Sequence, residues 1–327
     1  MSDLSQPGLR RRLAFPVDKI PLLLFAALLV FFCFQAPWFL SWQNVTVILK
    51  QTAPLAILCF GLACVIIGGG DDVVSGGIDL SLPAISVLAV AIISIGVQIE
   101  ANIFLLALLA VAAALLAGLV NALMVVRVGL PPLLATLASS VAIVGLTNYL
   151  TRQRRISIDA PWLVAFRDGT LLGIPWAVWF MLAVFVVYQF VVHHSRWGQH
   201  LQASGGSREA AELAGLPVNA LVLRSYLLAA AAAALAALTL LARGSGSSPG
   251  AEEPLLLEMV LATFIGTAFS RRRVVTVWGA LLGALLVNAL SNGLALMRVD
   301  IFWVGTVKGV LILLVLAAAA VQRRGQS

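Results

Sequence analysis

Residues 66–81 read IIGGGDDVVSGGIDLS, with five glycines and three aspartates between two stretches of nearly pure hydrocarbon. Glycines beside carboxylates suit a phosphate-cradling loop or a hard-cation site. The rest of the chain supports neither. No Gly-Lys pair occurs in the sequence, so a Walker-type loop for ATP hydrolysis is excluded. No His-Glu-x-x-His is present, and His193, His194 and His200 gather beside Arg196. A positively charged interfacial belt explains that group better than a metal site. No serine nucleophile is paired with a nearby base, so the chain reads as a non-enzyme.

The glycine–aspartate stretch nearly repeats itself. Shifted by eight, Val65-Ile66-Ile67-Gly68-Gly69-Gly70-Asp71 overlays Val73-Val74-Ser75-Gly76-Gly77-Ile78-Asp79, with Val, Gly, Gly and Asp identical. A charge at mid-bilayer costs ~2.5 kcal/mol or more, so such residues pair, line cavities or sit at the interface. Two placements are open. Residues 68–79 form a connection at one membrane surface, or Gly76-Gly77 break a helix inside the membrane and Asp79 caps the next. In the second, Asp79 accepts from backbone N–H groups near Ser81 and Leu82. Capping is preferred to substrate binding as its role.

Other polar side chains stand alone among apolar neighbours. Asn121, Thr136, Asn288 and Asn292 are candidates for lining a translocation pathway. The competing role for each is an interhelical hydrogen bond, worth ~0.6–2 kcal/mol.

The elements that must position these residues follow from composition. The 327 residues are 61% hydrophobic and 11% charged, with a mean hydropathy of +1.03. Ordinary globular domains are about half apolar and about a quarter charged, so the class is a polytopic all-α membrane protein. A span needs about 20 mostly apolar residues. Ten candidates lie near 20–36, 45–67, 80–98, 103–126, 130–150, 171–192, 219–242, 257–270, 274–292 and 301–321. They make one transmembrane domain over 20–321, between a basic tail (1–19) and a short one (322–327). Cys33, Cys59 and Cys64 all fall in apolar segments and read as buried, inert thiols.

A formal charge of +7 reflects orientation rather than nucleic-acid binding. With the N-terminus inside, the cytoplasmic set Arg10–Arg12, Lys19, Arg127, Arg196, Arg208, Arg224, Arg271–Arg273, Arg323 and Arg324 outnumbers the outer one. The expected orientation is therefore N-in and C-in, with 151–170 as an amphipathic outer segment. One internal echo suggests an inverted repeat of spans 2–5 and 7–10. Asn121-Ala-Leu-Met-Val-Val-Arg127-Val128 overlays Asn292-Gly-Leu-Ala-Leu-Met-Arg298-Val299 five spans later.

Segment 198–218, GQHLQASGGSREAAELAGLPV, is the most polar connection, placed on the cytoplasmic side. Ser207 can cap a helix with Glu209 in its first turn. Arg208–Ala214 favours helix by propensity, Gly215 ends it, and Pro217 prevents its continuation. A short helix lying on the membrane face can fill a partner's groove.

These residues carry a resemblance. Glu209-Ala210-Ala211-x-x-x-Gly215 is similar to the coupling motif of ABC importer permeases. The longer run GGSREAAELAGLPV resembles that of the ribose/monosaccharide-type permease family. Ser75-Gly76-Gly77-Ile78-Asp79-Leu80-Ser81, Val277-Trp278-Gly279-Ala280-Leu281-Leu282-Gly283-Ala284, Asn292-Gly293-Leu294, Phe302-Trp303, Lys308-Gly309 and Val128-Gly129-Leu130-Pro131-Pro132 agree with it. The resemblance implies two permease subunits docked on two ATPase subunits, with a periplasmic binding protein delivering a sugar-like solute. The chain itself would bind no cofactor; ATP and Mg would belong to the ATPase. Residues 207–216 would be the coupling helix, with Arg208 and Glu209 touching the ATPase. Two departures stand out. Arg271–Arg273 replace a glycine-rich run, and Leu82-Pro83-Ala84 replace Val-Gly-Ser, where a proline fits the first turn of a helix.

Overall fold

The computed structural model describes residues 20–70, 76–270, 274–300, 303–310 and 313. The tails 1–19 and 322–327, the aspartates Asp71 and Asp72, Ser75, Arg271–Arg273 and Phe302 lie outside the described residues.

The chain is a succession of helices. They are α1 (Ile20–Gln35), α2 (Trp42–Gly69), α3 (Leu82–Gln98), α4 (Ile103–Leu123), α5 (Pro132–Thr151), α6 (Pro161–Asp168), α7 (Trp176–His193), α8 (Arg196–Gly206), α9 (Arg208–Leu213), α10 (Val218–Gly244), α11 (Glu252–Ile265) and α12 (Val277–Leu296). Residues 303–310 are helical as well. Two ribbons of two-residue strands interrupt the all-helical pattern: β1 (Ile156–Ser157) pairs antiparallel with β4 (Gly246–Ser247), and β2 (Thr170–Leu171) with β3 (Ile174–Pro175).

Among the described residues, six helices are long and apolar enough to cross a bilayer: α2, α4 with its extension to Val128, α5, α7, α10 and α12. The expected spans near 80–98 and 257–270 coincide with helices that are shorter than that, the 17-residue α3 and the 14-residue α11. The expected span at 171–192 begins later, at Trp176, because Gly173 takes a positive φ and turns β2 into β3.

Helix α2 is the axis of the molecule. Its apolar window is 89% buried against 22% for α4 and 28% for α5. It packs on α7, α10, α11 and α12, and α10 in turn holds α3 and α4. The order follows from side-chain size. Without water between helices, close approach depends on small residues. Gly61 of α2 faces Ala229 and Ala232 of α10, and Gly118 of α4 faces Ala230. Helices α11 and α12 form a hairpin in the same way, with Gly266 against Gly279 and Gly283 against the Ala262 carbonyl. The outward faces of α4 and α5, including Phe104, Leu108, Leu116, Leu134 and Val141, are exposed hydrocarbon. Cys59 and Cys64 are buried, but Cys33 is exposed on α1, which presents only one face to α12.

At the end of the molecule where α5 finishes, α6 lies as a short amphipathic helix with only Leu163 fully buried. Lys50 donates to the Arg167 carbonyl, and Arg167 donates to Ser245 Oγ at 2.7 Å. The Arg167 guanidinium pairs with Asp168 and holds that exposed carboxyl below its ordinary range. Together with β1–β4, these bonds fasten segment 152–175 to the α10–α11 connection.

Candidate functional site

After Gly69 the chain does not simply leave the bundle. It returns along α2. The Gly77 N–H donates to the Gly70 carbonyl at 3.2 Å, and Gly77 lies beside Val65. A methyl group on Gly77 would sit 2.1 Å from the Val65 carbonyl oxygen, so only glycine fits. Val65 is four residues before the last residue of α2, or about 6 Å back at ~1.5 Å per residue. The segment is therefore re-entrant, and non-helical backbone at such depth is tolerated only where protein surrounds it. Gly76, Gly77, Ile78 and Asp79 are all buried.

The re-entry places Asp79 among three helices. Asp79 Oδ1 accepts from the Ser81 N–H at 2.9 Å and from Ser81 Oγ at 2.6 Å. Asn121 Nδ2 of α4 donates to Ser81 Oγ at 2.7 Å. Thr136 Oγ1 of α5 accepts the Leu80 N–H at 3.1 Å and donates to the Pro132 carbonyl. Tyr226 of α10 reaches the Ile78 carbonyl at 3.5 Å. Asp79, Ser81, Asn121 and Thr136 are each fully buried. The donor order is fixed: because Ser81 gives its only proton to Asp79, it must accept from Asn121. Asp79 Oδ2 and Asn121 Oδ1 are left buried without a hydrogen-bond partner.

Asp79 is thus a hydrogen-bonding hub, but not the cap residue of α3. Ser81 occupies the cap position in a helical conformation and makes no side-chain cap bond. Asp79 closes a turn two residues earlier instead, the Asx arrangement typical of short acidic side chains. Helix α3 begins at Leu82 with Pro83 in its first turn, as expected.

Asn121 itself sits where α4 loosens. Residues Met124–Val128 form a π-turn closed by Gly129 at φ 79°. Such turns concentrate at functional sites because they re-aim side chains within a helix.

Asn288 and Asn292 do not join this cluster. Asn288 donates to the Ala284 carbonyl of its own helix at 3.1 Å. Asn292 and Asn44 exchange amide hydrogen bonds at 2.8 and 3.0 Å, an interhelical pair joining α12 to the start of α2. Asn44 also donates to the Phe39 carbonyl.

The polar segment 198–218 holds two helices rather than one. Helix α8 fills what reads as loop, with Gly198, Leu201 and Ser204 buried. Its signal was Ser195, whose Oγ accepts the Gly198 N–H at 3.0 Å as a cap. Helix α9 matches the expectation. Ser207 Oγ accepts the Ala210 N–H at 3.2 Å, and Glu209 lies in the first turn. Gly215 at φ 80° ends it, with Gly215 N–H bonded to Glu212 and Leu216 N–H to Ala211, a Schellman pattern. Arg208 bonds Glu212 and Asn219 and braces α9 against α10, while Glu209 and Ala210 are exposed and Ala211 is buried.

Residues that sequence reasoning missed are Tyr226, Ser86 and Glu258. Ser86 Oγ donates to the Ala233 carbonyl at 2.8 Å, joining α3 to α10. Glu258 of α11 pairs with Lys308, both side chains mostly buried at 17% and 15% exposure. Ser86 and Glu258 are each a lone polar group in an apolar run, which was the available signal.

Multiple apolar spans, with a re-entrant polar segment between them and an exposed capped helix at one end, define a multi-pass membrane protein. The chain belongs to the family described as branched-chain amino acid transport system / permease component, whose model matches residues 44–316. It is 32% identical over 288 residues to the ribose import permease protein RbsC of Escherichia coli (strain K12), covering 85% of this chain and 86% of that one. RbsC of Bacillus subtilis (strain 168) is 31% identical over 85% of each chain. The fructose import permease protein FrcC of Rhizobium meliloti is 31% identical over 85% of this chain and 78% of its own. The chain is therefore a permease, and a transport subunit rather than an enzyme.

Proposed function

We propose that this permease carries a monosaccharide across the bacterial inner membrane as one subunit of an ATP-driven importer. The observation that carries the reading is the near full-length similarity to permeases named for ribose and fructose import. On this reading the partners are an ABC ATPase, which holds ATP and Mg, a second permease copy, and a periplasmic solute-binding protein. The chain is N-in and C-in with about ten spans. Helices α8 and α9 then lie on the cytoplasmic face, and exposed Glu209 and Ala210 meet the ATPase.

The proposed inverted repeat is supported by the two asparagines. Asn121 and Asn292 each lie near the end of a helix and each bonds the start of another, α3 through Ser81 and α2 through Asn44. Solute would cross between two permeases, past Gly76, Gly77, Asp79, Ser81, Asn121 and Thr136, with Asn288 and Asn292 lining the path from α12.

A second reading has one observation in its favour: the family description names branched-chain amino acids. Uptake into proteoliposomes holding permease, ATPase and binding protein separates the two. Ribose or fructose uptake that requires ATP is expected; ATP-driven leucine uptake instead would replace the sugar. Uptake driven by an ion gradient with no ATPase present would refute the importer reading.

A further inference from the structure

The end of α2 is gripped on both sides by backbone. On one side, a methyl group at Gly205 of α8 would lie 2.0 Å from the Ile67 carbonyl oxygen. Ser204 Oγ reaches the Gly68 carbonyl at 3.3 Å, and a methyl at Gly68 would meet the Leu201 side chain at 2.5 Å. On the other side, a methyl at Gly69 would lie 2.4 Å from Gly77 Cα, and one at Gly77 would lie 2.1 Å from the Val65 carbonyl oxygen. Two residues beyond Gly77 stands Asp79, bonded through Ser81 to Asn121, and Leu80 is bonded to Thr136. Backbone packed on backbone has no side-chain rotamers to absorb a displacement, and packed interfaces shift between discrete arrangements rather than deform continuously.

We propose that α8, through Gly205, and the re-entrant Gly77 are the transmission elements that couple the cytoplasmic helices to the Asp79–Ser81–Asn121–Thr136 cluster. The inference rests on the importer reading and adds to it a second cytoplasmic helix with a defined route into the membrane. Helix α9 receives the push, α8 carries it to the last turn of α2, and the re-entrant segment moves with that turn.

Hydrogen exchange of the 76–81 amides tests this in the permease–ATPase complex, with and without vanadate trapping of the ATPase. In wild type, protection of 76–81 changes on trapping. In Gly205→Ala the change is lost and ATP-dependent uptake falls at least ~10-fold, a tenfold loss being about 1.4 kcal/mol. Gly206→Ala, whose methyl would meet nothing within 4 Å, behaves as wild type. Trapping without any change at 76–81 in wild type overturns the relay while leaving the importer reading intact. Absence of trapping in wild type overturns both. Should Gly205→Ala fail to assemble, the wild-type exchange result decides alone.

Discussion

Asn44 and Asn292, 248 positions apart, donate amide hydrogen bonds to each other and tie the start of α2 to α12. Each amide satisfies the other, so removing one leaves a polar group in an apolar interface. Asn44→Leu or Asn292→Leu alone is expected to destabilise the permease by ~0.6–2 kcal/mol. The double replacement should cost less than the two added together. Thermal unfolding in detergent across the four proteins measures the coupling, and strict additivity would show that the pair contributes nothing as a pair.

Asp79→Ala removes the acceptor for both the Ser81 N–H and the Ser81 hydroxyl. It is expected to lower folded yield or uptake severalfold. Asp71→Ala, in the other copy of the near-repeat, should leave both unchanged. Equal damage from the two substitutions would mean that the hydrogen-bonded network is not what makes Asp79 matter.

Glu209 is exposed in the first turn of α9, whereas Arg208 is held by Glu212 and Asn219. Glu209→Lys should therefore keep membrane insertion and ATP hydrolysis but abolish uptake. Arg208→Ala should act differently, by loosening α9 from α10 and lowering its protection from proteolysis. Unchanged uptake in Glu209→Lys would remove α9 from the coupling path.

Glu258 and Lys308 form a mostly buried ion pair between α11 and helix 303–310. Breaking such a pair by removing one partner typically costs ~3–5 kcal/mol, because the other charge stays buried alone. Lys308→Met is expected to lower thermal stability by that order. Adding Glu258→Leu should recover most of it, and no recovery would show that the stability lost came from packing.

Much of the fold was legible in the sequence because membrane helices announce themselves through long apolar runs. The capped helix α9 was legible too, since Ser207, Gly215 and Pro217 are local signals whose geometry needs no tertiary partner. Helix α8 was not, because its composition is that of a loop and its stability comes from Leu201 and Ser204 packing on α2. The partners of the candidate pathway residues were only half legible. An asparagine in hydrocarbon must bond something, but Asn121 finds the re-entrant segment whereas Asn292 finds another asparagine.

The sequence alone determined the class, the helix-rich architecture and the short capped helix α9. Local propensity and hydropathy suffice for each of these. Only the tertiary structure decided that Gly77 lies against Val65, that Asp79 forms a turn before α3 rather than capping it, and which asparagine joins which helix. Those depend on how closely two backbones approach across the bundle, a distance set by small residues far apart in the chain.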